Sequence, residues 1–505
     1  MQKHNTVKKM QNSFTIKFNF KGGLISPGDL LQILQVAKKA GISYVSFGLR
    51  QQLLIEVEAD DFPDLITALK LLKIDHEVNE DVYPNIISSY PAEEVFITKT
   101  WLSEGVYKDI FDSFDYKPTL KINVSDSNQS FTPLLTGNIN WVASNHQHFW
   151  YMVIRFPKTN IVYHWKELIY TNDIAAVSKK IEQVIIKFEK VFYDNKLADG
   201  DLLYDAVMNG EHYITIKPDA ALQLPPFMLP YYEGFNKFHD KYWLGIYRRD
   251  ELFSIKFLQD VCTICLNTKI GQICSTPWKS VIIKGIEEKD RQLWNEILGK
   301  YQVNVRHAAN ELNFQVEDNC KEGLAIKSYL VKHLNKDDSR TYGICIGIKT
   351  RRKSEVFSNI LVRKKSIFTI AGIGFFNLYD LLFAEDSNPN ERTGTVFSRN
   401  NIKLFLPEQL RLAIVSFYNH KAKHQQGLER VMIKTETVSK KTAVKFVHQC
   451  NACLAVYDEA IGEPENGIEA GTLFEQLPNN YRCVTCEGPK HKFEKISASK
   501  LAVEL

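Results

Sequence analysis

The chain has 505 residues, 44% hydrophobic and 24% charged, with 63 Lys and Arg against 59 Asp and Glu and a formal net charge of +4. That length predicts more than one domain, and that balance is the one of an ordinary soluble protein rather than a disordered chain. Dispersed basic residues without a recognition motif argue against a nucleic-acid partner.

Residues 1–10 are polar and basic with no apolar stretch behind them, so no secretory signal is expected. Nine cysteines, four of them read as metal ligands near the C-terminal end, leave an odd five. Together these features point to a reducing cytoplasm rather than a disulfide framework.

Residues 14–20 alternate apolar and polar side chains and predict a strand. Gly22-Gly23 turns the chain. Ser26-Pro27 opens a helix with Ser26 as cap, Leu30, Ile33, Leu34 and Ala37 inward, and Gly41 at its end. Residues 44–57 read as a second strand, and 60–72 as a helix with Leu65, Leu69 and Leu72 inward. A third strand follows His76. This β-α-β-α-β order predicts an α+β sandwich of ferredoxin-like type. The unit returns 228 residues later, as a strand at 241–246, a helix at 255–266, and a turn and strand over 271–285 that match 44–55. Leu30 falls on Leu258 and Ile33 on Val261, so an internal pseudo-two-fold is expected.

Gly41-x-x-Tyr44-Val45 running to Leu49-Arg50-Gln51, and Ser275-Thr276-Pro277-Trp278, resemble the two half-repeats of siroheme-dependent nitrite and sulfite reductases. Residues 85–91 and 121–125 resemble the start and a core strand of that family's first α/β domain, and Gly234-Phe235-Asn236 the loop into the second half. The resemblance covers about residues 14–365. It implies two ferredoxin-like halves (1–80 and 236–305), each followed by an α/β domain (81–235 and 306–420).

The family holds a four-iron cluster on two cysteine pairs, one cysteine also bridging to siroheme. Here Ala309 and Gln315 stand at the first pair of positions, and Arg351 and Glu355 at the second. Neither Ala nor Arg can ligate a cluster, and the spacing of Cys262, Cys265, Cys274, Cys320 and Cys345 does not restore it. No 4Fe-4S cluster is therefore expected. Ser46 replaces an arginine the family uses around the heme, Arg50 is retained, and no residue positively supports siroheme. Arg351, Arg352 and Lys353 read as a solvated turn, with an anion site as the alternative.

The most apolar run, 366–384, is interrupted by Asn377 and Asp380 and reads as buried core, not a membrane span. A polar loop spans 385–394, and Pro407-Glu408 begins a helix through Ser416. Residues 421–445 are charged without a sustained apolar face and read as a tether, reaching on the order of 80 Å if extended.

Cys450-Asn451-Ala452-Cys453 and Cys483-Val484-Thr485-Cys486 are two C-x-x-C pairs separated by 29 residues. Each pair can form a chelating turn, and four thiolates make a tetrahedral sulfur site suited to iron or zinc. A structural zinc ribbon is the alternative reading. The residues between, Tyr457-Asp458, 462–467, 470–474 and Leu477-Pro478, with Pro489-Lys490 and Phe493 after them, resemble rubredoxin over 446–497. That resemblance implies one iron held by Cys450, Cys453, Cys483 and Cys486, cycling between ferric and ferrous. It also implies a small aromatic core of Tyr457, Phe474, Tyr481 and Phe493. About fifty residues bury too little surface to fold unaided, so the metal acts as a staple. Leu454 and Glu487 stand where rubredoxins usually place glycine, which tolerates the positive φ of the metal knuckles. Segment 446–497 carries a net −4, leaving +8 on the rest, a complementarity that allows salt-sensitive docking.

These readings predict an electron-transfer protein whose reductase-like body, without cluster ligands, acts as a docking scaffold. Its partners would be an electron donor and an acceptor, possible clients including a nitrite or sulfite reductase. Two alternatives stand beside it. One is a siroheme-binding reductase fed in cis by its rubredoxin; the other is a non-redox assembly protein carrying zinc.

Overall fold

The computed structural model describes residues 13–97, 100–351, 355–370, 373–391, 394–439, 446–463 and 466–497, with backbone alone for 367–370, 373–376, 385 and 423–439. The polar start of the chain, Arg352 to Ser354, and 440–445 lie outside these residues. Two compact units emerge, Met1–Asn419 and His420–Leu505.

The first unit is duplicated. Its first half forms strand Ser13–Phe18, helix Pro27–Lys39, strands Tyr44–Phe47 and Leu53–Glu58, helix Phe62–Leu71 and strand Glu77–Val78. Ser26 caps the first helix by accepting from the Asp29 amide at 3.4 Å, and Leu30, Ile33, Leu34 and Ala37 are buried as expected. Three details differ from the sequence reading. Residues 44–57 are not one strand but a hairpin, turned where Gln51 takes φ 61°. The second helix starts two residues late, and Leu72 points outward at 42% exposure because it caps the helix rather than continuing it.

The second half repeats the order as strand Lys241–Ile246, helix Ile255–Asn267, strands Ile273–Ser275 and Val281–Ile286, and helix Arg291–Lys300. Its fourth strand comes from a different place: Gly234–Phe238, ahead of the repeat, pairs with Lys241–Ile246 and takes the edge held by Glu77–Val78 in the first half. Each half also lends a two-residue strand to the other. Leu24–Ile25 pairs with Ile273–Ser275, and Phe253–Ser254 pairs with Tyr44–Phe47. Leu258, Val261, Leu30 and Ile33 therefore share one hydrophobic core spanning both halves.

Each half is followed by an α/β layer of like topology. In the first, Ile87–Ser88, Ile122–Ser125 and Ile139–Ala143 run parallel, and Phe149–Arg155 returns antiparallel. In the second, Phe314–Val316, Ile346–Lys349 and Ile360–Ile370 run parallel, and Ile373–Ala384 returns antiparallel. The apolar run 366–384 is thus part of a hairpin, with Leu381 buried. Among the described residues no helix is long and apolar enough to cross a membrane.

The stretch read as a tether is corrected in part. A helix expected to end at Ser416 runs from Leu406 to Ser439, through the boundary between the units. No proline follows Pro407 in it, and its sequence is rich in Lys, Gln, Glu and Arg. These side chains favour helix without needing an apolar face. A helical residue advances about 1.5 Å against about 3.3 Å extended, which shortens the reach assigned to that stretch.

Candidate metal centre

The second unit contains a three-stranded sheet in which Phe446–Cys450 lies between Val456–Tyr457 and Phe493–Ser497. The central strand delivers Cys450 at its end. A tight turn follows, in which the Leu454 amide donates to the Cys450 carbonyl and the Cys450 amide to the Ala455 carbonyl, both at 2.8 Å. The second pair repeats the geometry. The Glu487 amide donates to the Cys483 carbonyl and the Cys483 amide to the Gly488 carbonyl, again at 2.8 Å. Both turns close through a left-handed residue, Leu454 at φ 63° and Glu487 at φ 55°. The knuckle conformation survives the replacement of glycine, at a steric cost of about 1–2 kcal/mol per residue.

Across the turns the four sulfurs all lie within 4.8 Å of one another. Cys450 Sγ is 3.7 Å from Cys486 Sγ, and Cys453 Sγ 3.4 Å from Cys483 Sγ. A regular tetrahedron with metal–sulfur bonds of about 2.3 Å has edges of about 3.8 Å, so the quartet fits one ion. The thiols themselves call for a cation. The Ala452 amide, aided by that of Cys453, draws the Cys450 thiol down to about 7 against burial. At Cys453 the pull of the Ala455 amide is outweighed by desolvation and the three neighbouring sulfurs, which push it up to about 12. Four sulfurs this close cannot all become thiolates without a central positive charge. Cys450 and Cys483 are buried, Cys453 is half-buried, and Cys486 is exposed. One edge of the site therefore meets solvent.

Beneath the sulfurs lies the expected aromatic core of Tyr457, Phe474 and Tyr481, with Phe493 packed against it. Tyr481 is 5.7 Å from Phe493 and 6.0 Å from Tyr457, centroid to centroid. Two members were not anticipated. Leu477 is buried there, and His448 stacks on Phe474 at 4.1 Å and 12°. The inward position of His448 was readable only as the alternation of the strand Phe446–Cys450.

The remaining cysteines are dispersed through the body and buried. Cys262 and Cys265 sit on the inner face of the helix Ile255–Asn267, where burial pushes the Cys262 thiol up to about 12. Among the described residues no other three His, Cys, Asp or Glu side chains converge as the quartet does.

At the positions where the reductase pattern has cluster cysteines, the side chains are engaged otherwise. Gln315 is buried, donating to the Pro277 carbonyl at 3.1 Å and accepting from the Phe357 amide at 2.6 Å. Ala309 opens a short helix, Ala309–Leu312. Arg351 donates to the Asp318 and Asn319 carbonyls at 3.1 and 3.0 Å. Glu355 forms a close ion pair with Lys121. The retained Arg50 is fully buried, its guanidinium donating to the Asn85 and Ile122 carbonyls at 2.7–3.0 Å, which ties the hairpin turn to the α/β sheet.

The rubredoxin family model matches residues 447–493. Rubredoxin-2 of Chlorobaculum tepidum is 44% identical over 48 residues, 10% of this chain and 92% of that protein. Rubredoxin-1 of Pseudomonas aeruginosa is 50% identical over 48 residues, again 10% of this chain, and 87% of that protein. Through this segment the chain belongs to the rubredoxin family. Over most of its length it has the fold of another protein, the NirA protein of Mycobacterium tuberculosis. The TM-score is 0.60 at 13% identity, covering 79% of this chain and 80% of that one. The four cysteines singled out in the sequence converge, and most of the chain has the NirA fold.

Proposed function

We propose that this protein is an electron carrier in which Cys450, Cys453, Cys483 and Cys486 hold one iron and the NirA-like body serves as a docking scaffold for redox partners. In this reading residues 446–497 form the redox module, and 1–80, 81–235, 236–305 and 306–420 are the four parts of the body. The observation that carries it is the contrast in sulfur placement: one quartet converges within 4.8 Å. The four positions expected for a second carry Ala309, Gln315, Arg351 and Glu355.

Iron bound by four thiolates supplies a one-electron ferric–ferrous couple and no open position for substrate. The chain's own contribution is threefold. The Ala452, Cys453 and Ala455 amides point at sulfur and stabilise negative charge there. The aromatic core excludes water from the buried side. Exposed Cys486 leaves a short path for an electron to a docked partner.

Iron analysis of the purified full chain tests this reading. One iron per chain, without acid-labile sulfide or siroheme absorption, is the expected result; detection of labile sulfide overturns it.

One observation favours a second reading, a siroheme-dependent reductase fed in cis. Lys121 and Glu355, both at positions singled out by the reductase resemblance, line a cavity of about 990 Å³ together with Arg155, Lys158 and Lys349. Burial, with Arg50 the foremost of the neighbouring cations, holds the Lys121 ammonium down to about 8. Asp81 and Glu189 also line it, so with Glu355 the four bases leave one net positive charge, which suits an anionic group such as a tetrapyrrole carboxylate. Consumption of nitrite or sulfite driven by reduced methyl viologen would favour this second reading over the first.

A further inference from the structure

A different cluster of ionisable groups, used by neither reading, lines a cavity of about 450 Å³ in the body. Arg248, Arg249, His307, Glu311, Lys327 and Ser328 face it. They come from four elements: the segment after strand Lys241–Ile246, the loop ahead of helix Ala309–Leu312, that helix itself, and helix Lys321–Lys336.

Lys327 is the informative member. It is 2% exposed, and its ammonium donates to the hydroxyl of the equally buried Tyr247. Its nearest carboxylate, Glu311, is 3.7 Å away, beyond hydrogen-bond distance. That carboxylate is shared, because Arg249 Nε reaches it at 3.2 Å. An ammonium carries three donors, and a buried cation short of acceptors is costly to keep. Burial accordingly draws the Lys327 ammonium below its ordinary value, against the pull of Glu311.

His307 is prepared from behind. Its Nδ1 lies 2.7 Å from Glu233 Oε1, and its main-chain amide donates to Oε2 at 2.6 Å. Glu233 is wholly buried, so it fixes the ring with a proton on Nδ1 and leaves Nε2 for another partner. Facing the cavity, Arg248, Arg249 and Lys327 are opposed by Glu311 and by Asp250, the latter 4.0 Å from Arg248. One positive charge is in excess before His307 is counted.

We propose that this cavity binds a small tetrahedral oxyanion of the phosphate or sulfate type. Arg248 and Arg249 converge on it from one element and Lys327 and Ser328 from another, which suits an anion with acceptors on several sides. A planar carboxylate is satisfied by one arginine fork alone. The site does not depend on the metal centre, and its test is separate from that of the electron-carrier reading.

The test is calorimetric titration of the full-length, iron-loaded chain with inorganic phosphate, then sulfate and acetate. Expected is saturable one-to-one binding of phosphate or sulfate. That binding weakens at least tenfold in Lys327→Met and in the rim variant Arg248→Gln/Arg249→Gln. Arg249 is largely exposed and both rim residues are polar, so the rim variant keeps the test valid if Lys327→Met fails to fold. The iron chromophore should be unchanged in both. Absence of saturable heat, binding that the rim variant leaves intact, or acetate bound as tightly as phosphate overturns the proposal.

Discussion

Beneath the sulfur quartet, four hydrophobic side chains form the buried cluster: Tyr457, Phe474, Leu477 and Tyr481. The first α/β layer of the body gathers Trp141, Trp150, Phe131, Phe156 and many aliphatic neighbours into one continuous core. The two regions therefore depend on different forces. A small domain with so few buried groups leans on its metal, because burial alone barely offsets chain entropy. The body has a large apolar core of its own, and it accommodates buried charges such as Lys279 and Arg50 by pairing or hydrogen-bonding them. At three of the four positions expected for cluster ligands, Gln315, Arg351 and Glu355, it places side chains that bond to its own backbone or form an ion pair.

The sharpest way to break this comparison is to remove one sulfur. Cys483→Ser, at a site 1% exposed, should abolish iron binding and the thiolate-to-iron colour. Metal binding stabilises small thiolate sites by on the order of 10 kcal/mol, so the segment should unfold with it. Hydrogen exchange reads the outcome: amides of Phe446–Cys450 should exchange freely while those of Ile139–Ala143 stay protected. Protection that persists at Phe446–Cys450 would mean that the segment holds together by packing after all.

The converse test strikes the body. Lys279, at φ 55° in the second hairpin turn, pairs with Glu251 at 2.6 Å and donates to the Glu317 carbonyl at 3.0 Å. Lys279→Met leaves the Glu251 carboxylate buried without its cation. A loss of about 3–5 kcal/mol in the body's urea unfolding is expected, with iron content unchanged. A loss below about 1 kcal/mol would show that water enters the gap or that a carboxyl there takes up a proton.

A third test uses pH and also reads the body alone. Burial, with Asp126 nearby, pushes the Glu93 carboxyl up to about 8 against the hydrogen bond from Tyr107. The folded state then holds a proton that the unfolded chain releases near 4.5. Body stability should fall as pH rises from about 4.5 to about 8, by at most about 1.4 kcal/mol per unit. Above that window the slope from this group vanishes. Glu93→Gln should flatten the profile, and a slope that persists in the variant would assign it to another group.

What could be read in advance follows the range of the interactions. Cysteine spacing is local, so the quartet was legible, as was the aromatic core. The repeat was legible because Leu258 and Val261 preserve the helix face of Leu30 and Ile33. The exchange of Leu24–Ile25 and Phe253–Ser254 between halves was not, because such short strands carry no periodicity and their partners lie about 250 and 210 residues away along the chain. The hairpin over 44–57 was hidden because its turn uses Gln51 at positive φ instead of glycine. The part of helix Leu406–Ser439 beyond residue 420 was read as tether because an apolar face was sought where intrinsic propensity was the signal.

The smallest expected effect refines the account of the metal-dependent region. Leu454 and Glu487 hold left-handed backbone at φ 63° and 55°, in turns whose closing hydrogen bonds are 2.8 Å long. Replacing either by glycine removes about 1–2 kcal/mol of steric strain from the folded state. It also adds about 0.5–1 kcal/mol of chain entropy to the unfolded state, which opposes the gain. The strain term is the larger, so Leu454→Gly and Glu487→Gly should each stabilise the iron-loaded segment by a few tenths to about 1 kcal/mol. The two should add, because each acts within its own turn. Slower loss of iron to a chelator on warming measures the gain. Destabilisation by either glycine would mean that the replaced side chain makes a compensating contact when iron is bound. Leu454, 62% exposed, would be the first to suspect.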